Sequence, residues 1–455
     1  MSEPTPPTAP VFDPNAQHQE RPKLRRVRGF PLPMQGPDGK QVVMLGLADA
    51  QQISPKMVAT MPAAQALLPL MDGSRTLDEI VAEVGRGLTR EFLEPFVAQL
   101  DDAALLHGPV FDAMFNEMKT RYDEADTLPP GVTAAFADQV VAAKVGEGVT
   151  DEQKAEQGPG ALRELLDQWI DQALKDAEKP AFDTLPAAVV APHVDYVRGW
   201  MNYAQVYGRL RVCDRPDRVV ILGTNHFGRG TGVVGCDKGF ESPLGTSPLD
   251  SGLLEAVKAE LGADDARRML EHRYDHEREH SIELHIPWIQ HCLGTDGGGS
   301  YVPVFAALIH DPSVNAGESY DGEGLAFEPF VGALKAALAK LGGTTLIVSS
   351  ADLSHVGPAF GDQKALAGDT DDAKAARDQV TTHDREMIQM IVDRKPDDLI
   401  ASMSWQQNPT RWCSIGNLTA TMRLVEPGEV TLLGYVAAMD QQGAAMVSHA
   451  AMAMS

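Results

Sequence analysis

The sequence contains few cysteines, no long hydrophobic run and no excess of basic charge, and each absence excludes a class of protein. Four cysteines in 455 residues, without a CxxC spacing, argue against a disulfide framework or a structural zinc site. The apolar runs are far shorter than the roughly 20 residues that a membrane-spanning helix needs. The formal net charge of −25 disfavours nucleic-acid and anionic-membrane partners.

The N-terminal segment has no apolar h-region, so we expect no signal peptide and a cytoplasmic location. Residues 1–22 are rich in proline and polar residues, which predicts a disordered tail. A local basic stretch follows the tail and is either a site for an acidic peptide or a solubilising segment. It contains Lys23, Arg25, Arg26 and Arg28.

Residues 23–110 have the pattern of a small winged-helix-like α+β domain, with strands followed by three helices. QVVMLGL predicts a strand, and MPAAQALLPLMDG predicts a helix that ends at Gly73. A second helix is expected in SRTLDEIVAEVG, capped by Ser74 or Thr76. A third is expected in TREFLEPFVAQLDDAALLHG, with Thr89 as the candidate cap.

The rest of the chain predicts a helical connector over 111–157 and an α/β domain over 158–455. The connector contains the amphipathic segment FDAMFNEMKTRYDEA and a stretch rich in Gly, Glu and Gln. The domain begins with the helical pattern ALRELLDQWIDQALKDA, after which apolar strands alternate with helical segments. Two of these strands are expected at 301–309 and 429–440.

Three apolar runs lead to a histidine, at His193, His226 and His355. Ligands in open α/β sheets bind just outside the carboxyl ends of parallel strands, so these histidines predict one site built from distant segments. The first two are expected to follow adjacent strands. Imidazoles at neighbouring strand ends are a common way to bind iron, copper or zinc.

The polar residues near these histidines admit two interpretations each. Asp352, three residues before His355, is expected in a tight turn where it orients the imidazole for acid–base chemistry, or else caps a helix. The segment EREHSIELH lacks the HExxH zinc motif. Its Glu279 and His280 either support a metal ligand from behind or belong to a solvated helix face.

Cys413 lies just before a helical segment, a position that lowers a thiol pKa and suits metal ligation. Taken alone this cysteine is ambiguous. The other three cysteines are expected to be small buried hydrophobic residues.

The residues over 158–455 contain an ordered set of segments: LRELLDQWIDQAL, APHVDYVRG, ILGTNHFG, EHSIELHIPWIQ, VPVFAAL, SSADLSHVG and WCSIG. Taken in this order, they resemble the Memo family, whose bacterial members are called AmmeMemoRadiSam system protein B. That family is similar in fold to class III extradiol dioxygenases. The expected fold is a mixed sheet flanked by helices.

The resemblance implies a role for six residues. His193, His226 and Cys413 fall on the metal ligands of the family, Asp352 and His355 on its acid–base position, and His280 on another pocket position. Two segments depart from the family pattern. VDY replaces AGY, which places Asp195 beside the metal, and TNHF retains one histidine where two are common.

The implied function is that of a redox enzyme that uses Fe(II) or copper, with zinc a weaker alternative. This enzyme would resemble the non-haem iron dioxygenases, although those enzymes bind their metal with two histidines and a glutamate. The other interpretations are a non-catalytic scaffold that binds metal or peptide, and a zinc hydrolase. The substrate is expected to be a small molecule or a modified peptide.

The 23–110 domain resembles the PqqD-like fold in MDGSRTLDEIVAEV and LDDAALLHG. That family binds a leader peptide, so the resemblance implies a peptide or a radical SAM partner protein. The alternative is a degenerate packing module.

Overall fold

The first part of the chain forms an antiparallel three-stranded sheet, and the second part contains a mixed eight-stranded sheet. The structure is a computed structural model that describes residues 9–35, 40–146, 148–364 and 366–455. The chain divides into two compact units between Glu124 and Ala125. No helix in these ranges is long and apolar enough to cross a membrane.

The first unit has the expected order of strands followed by helices. Its sheet has the order β1-β2-β3, and Leu77, Leu93 and Leu100 pack beneath it in one core. The elements are α1 Gln17–Glu20, β1 Val27–Gln35, β2 Gln41–Asp49, β3 Met57–Thr60, α2 Leu77–Val84, α3 Arg90–Asp102 and α4 Pro109–Glu124.

The prediction of an α-helix in MPAAQALLPLMDG is wrong. The segment forms two short 3₁₀ helices, Pro62–Ala66 and Leu68–Leu70. Pro69 has no backbone N–H and cannot continue an α-helix. The next helix begins as predicted, because Thr76 forms a capping box with Glu79. Thr89 occupies the N-cap position of α3, but its side chain makes no capping hydrogen bond.

The basic stretch and the tail both differ from expectation. Arg25 is not a surface residue: it is buried, with Nη1 3.0 Å from Oδ2 of Asp49 and its guanidinium over the ring of Phe111. A disordered tail is not found at 17–20, because that segment is helical and the Gln19 side chain donates to Asp101. Residues 1–8 of the predicted tail lie outside the described residues.

The second unit alternates strands and helices, as predicted. Its helices are α5 Val132–Val145, α6 Asp151–Leu174, α7 Tyr196–Leu210, α8 Ser251–Glu271, α9 His280–Glu283, α10 Ile286–Leu293, α11 Phe327–Leu341, α12 Asp371–Val392, α13 Pro396–Gln406 and α14 Ile415–Val425. Its strands are β4 Thr127–Leu128, β5 Ala188–Ala191, β6 Arg218–Gly223, β7 Val234–Gly235, β8 Gly239–Ser242, β9 Gly245–Ser247, β10 Val304–Leu308, β11 Thr345–Ser350, β12 Asp352–Val356, β13 Val430–Met439 and β14 Met446–Met454.

The large sheet has the order β12-β14-β5-β11-β6-β10-β7, with β13 paired to β14. Its centre is parallel, because β11 pairs in parallel with both β5 and β6, and β10 with β6. The expectation that β5 and β6 are adjacent is therefore wrong, since β11 lies between them. All three strands still end at the same edge of the sheet, so the loops that follow them meet there.

Strand β14 was not predicted, although it is buried along its whole length and pairs with β5, β12 and β13. Its sequence MVSHAAMAM is rich in alanine and methionine rather than β-branched residues, so local propensity gives little sign of a strand. Burial against its neighbours determines its conformation.

The predicted connector contains most of α4, all of α5 and the start of α6. Helix α6 begins at Asp151, ten residues before the predicted segment ALRELL. Thr150 and Gln153 form a capping box, and this starts the helix in a stretch whose Gly158, Pro159 and Gly160 favour a loop. Together, α5 and α6 pack against each other beside α7.

Candidate metal centre

His193 follows strand β5 and is buried. Its Nδ1 lies 2.9 Å from Oγ of Ser350, and that hydroxyl donates its only proton to the carbonyl of Ser281 at 2.6 Å. The imidazole Nδ1–H therefore donates to Ser350, which leaves the Nε2 lone pair for a metal ion. Burial, with the charges of His226 and His280, lowers the pKa of His193 well below its usual value.

His226 follows strand β6 and is held from behind by Glu279. Its backbone N–H donates to Oε2 of Glu279 at 2.7 Å, and its Nδ1 donates to Oε1 at 3.0 Å. Burial alone would lower the pKa of His226 and raise that of Glu279. Their mutual attraction is stronger, so the pKa of His226 is raised well above its usual value and that of Glu279 falls to about 2. With Nδ1 held by Glu279, a metal ion would displace the proton at Nε2 and bind the imidazole through that atom.

Cys413 completes a group with these two histidines. It lies two residues before α14, as the sequence suggested, and its Sγ is 3.2 Å from Nε2 of His193. The ligand atoms of Cys413, His193 and His226 all lie within 4.8 Å of one another. Metal–ligand bonds of about 2.0–2.3 Å allow one ion to contact all three atoms, so the residues fit a transition metal.

Polar residues that were not predicted from the sequence connect the segments around the ligands. The Nδ2 of Asn417, in α14, donates to Oγ1 of Thr224 at 2.9 Å and to the carbonyl of Ser350 at 2.7 Å. Thr224 in turn donates to the carbonyl of Cys413 at 3.0 Å. These bonds tie the ends of β6 and β11 to the start of α14. No local pattern marks Asn417, because its partners are distant in sequence.

The prediction that Asp352 orients His355 from a tight turn is wrong. Both residues lie on the extended strand β12, and Asp352 accepts the backbone N–H of His193 at 3.0 Å. The Nδ1 of His355 instead lies 2.9 Å from the carbonyl of Leu353 and 3.2 Å from that of Arg411. Carbonyls only accept, so Nδ1 carries a proton and Nε2 is the basic atom. Burial lowers the pKa of His355.

His280 begins helix α9 beside the ligand group. Its ring centroid is 4.8 Å from that of His226 and 5.7 Å from that of His193. Its Nδ1 lies 3.3 Å from Oε1 of Glu279. His226, Glu279 and His280 form a second group whose ligand atoms lie within 4.8 Å. Two histidines and a carboxylate are thus also present, although Glu279 is engaged by His226.

A cavity of about 560 Å³ opens over these residues. Its lining is mixed: it includes the four histidines His193, His226, His280 and His355, the charged residues Asp195, Arg198, Asp352 and Asp440, and apolar residues such as Val132, Leu284, Phe360 and Val447.

Asp195 lines the same cavity, but it belongs to neither ligand group. Its carboxylate caps α7 and accepts from Nε of Arg198 at 2.6 Å. Asp195 is therefore a residue of the cavity lining and not one of the grouped ligands, and the helix N-terminus and Arg198 hold its side chain.

Comparisons with known proteins show which family the chain resembles. The family model described as Memo-like protein matches residues 155–453. A MEMO1 family protein of Methanothermobacter thermautotrophicus is 28% identical over 295 residues, which covers 63% of this chain and 91% of that protein. Relatives of the same name from Methanopyrus kandleri and Pyrococcus horikoshii are each 27% identical and cover 63% and 62% of this chain, with 89% and 88% of their own lengths matched. The chain belongs to the Memo-like protein family.

Proposed function

We propose that the second unit is a metal-dependent oxidoreductase with one Fe(II) or copper ion bound by His193, His226 and Cys413. The observation that carries the proposal is the convergence of two imidazoles and one thiol, whose ligand atoms lie within 4.8 Å of one another. Each imidazole is fixed through Nδ1 by its own partner, Ser350 or Glu279, as is usual for metal-binding histidines.

The chemistry of the donor set favours a redox metal. A soft thiolate beside two imidazoles suits copper and iron, and disfavours magnesium and calcium. Zinc also accepts this set, and it is the weaker alternative in the proposal. Three protein ligands leave positions open for a substrate.

When bound, the ion supplies Lewis acidity and electron transfer. The protein residues supply positioning and proton handling. His355 faces the cavity with a basic Nε2 and a lowered pKa, so it is neutral and ready to accept a proton near pH 7. Asp352 fixes the backbone of His193, and His280 presents a second imidazole to the substrate.

The cavity suits a small molecule or a single side chain of a peptide. Its volume of about 560 Å³ lies in the usual range for small-molecule sites, and a few polar groups among apolar residues orient a ligand. The apolar lining residues would contact the body of the substrate, and the imidazoles and charged side chains would bind its polar groups.

Oxygen uptake by the full chain tests this function. The protein is reconstituted without oxygen with Fe(II), Cu(I) or Zn(II) and then offered diphenols, thiols and short peptides in air-saturated buffer. We expect substrate-dependent uptake with iron or copper and none with zinc. Uptake should be lost in a His193→Ala, His226→Ala variant. No uptake with any metal and substrate would favour the scaffold, and hydrolysis with zinc alone would favour a zinc hydrolase.

We also propose that the first unit binds a peptide or a radical SAM partner protein. Within its described residues, β1 and β3 are the edges of the sheet, and an edge strand offers backbone groups to an extended peptide. Arg26 directly precedes β1 and Arg28 lies within it, and both are exposed and suit an acidic segment.

Titration of the full chain with a purified radical SAM protein and with its peptide substrate tests this proposal. If that peptide is acidic, an Arg26→Glu, Arg28→Glu variant should bind it less tightly than the wild-type protein does. Unchanged binding in that variant would contradict a role for the basic edge.

A further inference from the structure

The carboxylate of Asp384, in α12, is fully buried and accepts four hydrogen bonds. Ser354 Oγ and Trp412 Nε1 donate to Oδ1 at 2.5 and 2.8 Å. Tyr435 OH and Ser448 Oγ donate to Oδ2 at 2.6 and 2.5 Å. A buried charge is costly unless donors surround it, so this arrangement fixes all four donors firmly.

Two of the four donors are the immediate neighbours of site residues. Ser354 precedes His355 in β12, and Trp412 precedes Cys413 in the loop before α14. Both bind the same oxygen of Asp384. One carboxylate atom therefore connects the segment with the proton-accepting imidazole to the segment with the thiol ligand.

The loop before Cys413 has little regular structure to hold it. Gln407, Asn408 and Arg411 are non-glycine residues with φ values of 59°, 45° and 58°, a conformation that costs free energy and persists only where the surroundings enforce it. Asn408 brackets Trp412 from the backbone side: its Oδ1 accepts the Trp412 N–H at 2.7 Å, and its Nδ2 donates to the Trp412 carbonyl at 2.8 Å. The indole bond to Asp384 anchors the same residue from its side chain.

We infer that Asp384 is a positioning residue that fixes the Cys413 thiol relative to the ring of His355. The inference rests on the proposed metal-dependent function and adds a requirement to it. Asp384 belongs neither to the ligand groups nor to the residues that line the cavity, and it acts through Trp412 and Ser354. Loss of the indole donor should let Cys413 move while the histidines keep their own partners.

Titration with Co²⁺ tests the inference, because a cobalt–thiolate bond gives a charge-transfer absorption in the near ultraviolet. Full-length Trp412→Phe keeps an apolar ring but loses the indole N–H, which donates to Oδ1 of Asp384 at 2.8 Å and also to Oγ of Ser354 at 3.2 Å. Tyr435→Phe is the matched control, since it loses one donor to the other oxygen, Oδ2, of the same carboxylate, and Tyr435 is not a neighbour of Cys413 in sequence. We expect Trp412→Phe to weaken Co²⁺ binding about 10-fold or more and to diminish the band, whereas Tyr435→Phe leaves both within about twofold.

Hydrogen exchange of the metal-free protein gives an independent readout. Exchange over 408–414 and 354–356 should rise in Trp412→Phe and in Asp384→Asn, but not in Tyr435→Phe. Equal changes in the Trp412 and Tyr435 variants, by either method, would overturn the inference and assign Asp384 a general role in stability. A wild-type protein without the thiolate band would refute the metal site, and exchange alone would then decide whether Asp384 positions the loop.

Discussion

Glu279 holds His226 with both carboxylate oxygens, one on the backbone N–H at 2.7 Å and one on the imidazole Nδ1 at 3.0 Å. The carboxylate thereby fixes both the loop and the ring, and it directs Nε2 toward Cys413 and His193. Its negative charge also strengthens the imidazole as a ligand. The relationship makes Glu279 as important to the site as a direct ligand.

Glu279→Gln should weaken metal binding while the fold is kept. The amide retains the shape of the side chain but lacks the charge and one of the two acceptors. Loss of such a supporting group typically costs 10- to 100-fold in metal affinity, and we expect a loss in that range by competition with a chromogenic chelator. Glu271→Gln, an exposed residue of α8, is the control and should match wild type. Equal affinity in both variants would contradict the role of Glu279.

His355→Asn should separate proton handling from metal binding. His355 is outside both ligand groups, so metal content should stay at the wild-type value. The rate of substrate-dependent oxygen uptake should fall about 10²- to 10⁴-fold, the usual contribution of a positioned general base. Metal analysis and an oxygen electrode on the same preparation check both statements. A variant that loses its metal would show that His355 is a ligand instead.

Acid should destabilise the second unit between about pH 6.5 and 3, in part through His285. Burial lowers the pKa of His285 to about 3, whereas an unfolded histidine titrates near 6.5. Within this window the unfolded chain binds the additional proton, so the free energy of unfolding decreases as the pH falls. The contribution of the neutral His285 to the free energy of unfolding is therefore complete above about pH 6.5, and it is lost as the pH falls toward about 3.

His285→Gln should reduce that slope by up to about 1.4 kcal/mol per pH unit, since one proton is removed from the linkage. Glutamine still offers an acceptor to the hydroxyl of Tyr207, which bonds to His285 at 2.8 Å. Urea denaturation at pH 7.5 and 5.5 measures the effect. The control is His272→Gln, because His272 is only partly buried. Parallel pH dependence in wild type and His285→Gln would count against this explanation.

Thr76→Ala should destabilise helix α2 more than Thr89→Ala destabilises α3. The Thr76 hydroxyl accepts the N–H of Glu79 in a capping box, whereas the Thr89 side chain makes no such bond. A capping side chain is worth about 1 kcal/mol. Hydrogen exchange of the α2 and α3 amides in the full chain compares the two variants. Similar losses of protection in α2 and α3 would show that the capping box is not what stabilises α2.

Much of the α/β architecture could be predicted from the sequence. Apolar runs located β6, β10 and β13, and cap residues located α2, because these signals are local. The strand order could not be predicted, since the insertion of β11 between β5 and β6 depends on packing over more than 100 residues. Strand β14 escaped for the same reason: burial overrides its weak propensity.

The candidate site also contains residues that could be predicted from the sequence and residues that could not. His193, His226 and Cys413 were selected from the sequence, the cysteine only through the Memo resemblance, and the structure brings their ligand atoms together. Partners such as Ser350, Asn417 and Asp384 could not be inferred, because each bonds to residues far away in the chain. The relation of Asp352 to His355 was predicted wrongly, because an extended strand with a bulge replaces the expected turn.

Metal analysis of full-length protein purified without oxygen tests the central claim most directly. We predict about one iron or copper per chain in the wild type and none in a His193→Ala, His226→Ala variant, whose folding is checked by circular dichroism. A folded double variant with the wild-type metal content, or a wild type that binds neither metal even after reconstitution, would contradict the assignment of His193, His226 and Cys413 as a metal centre.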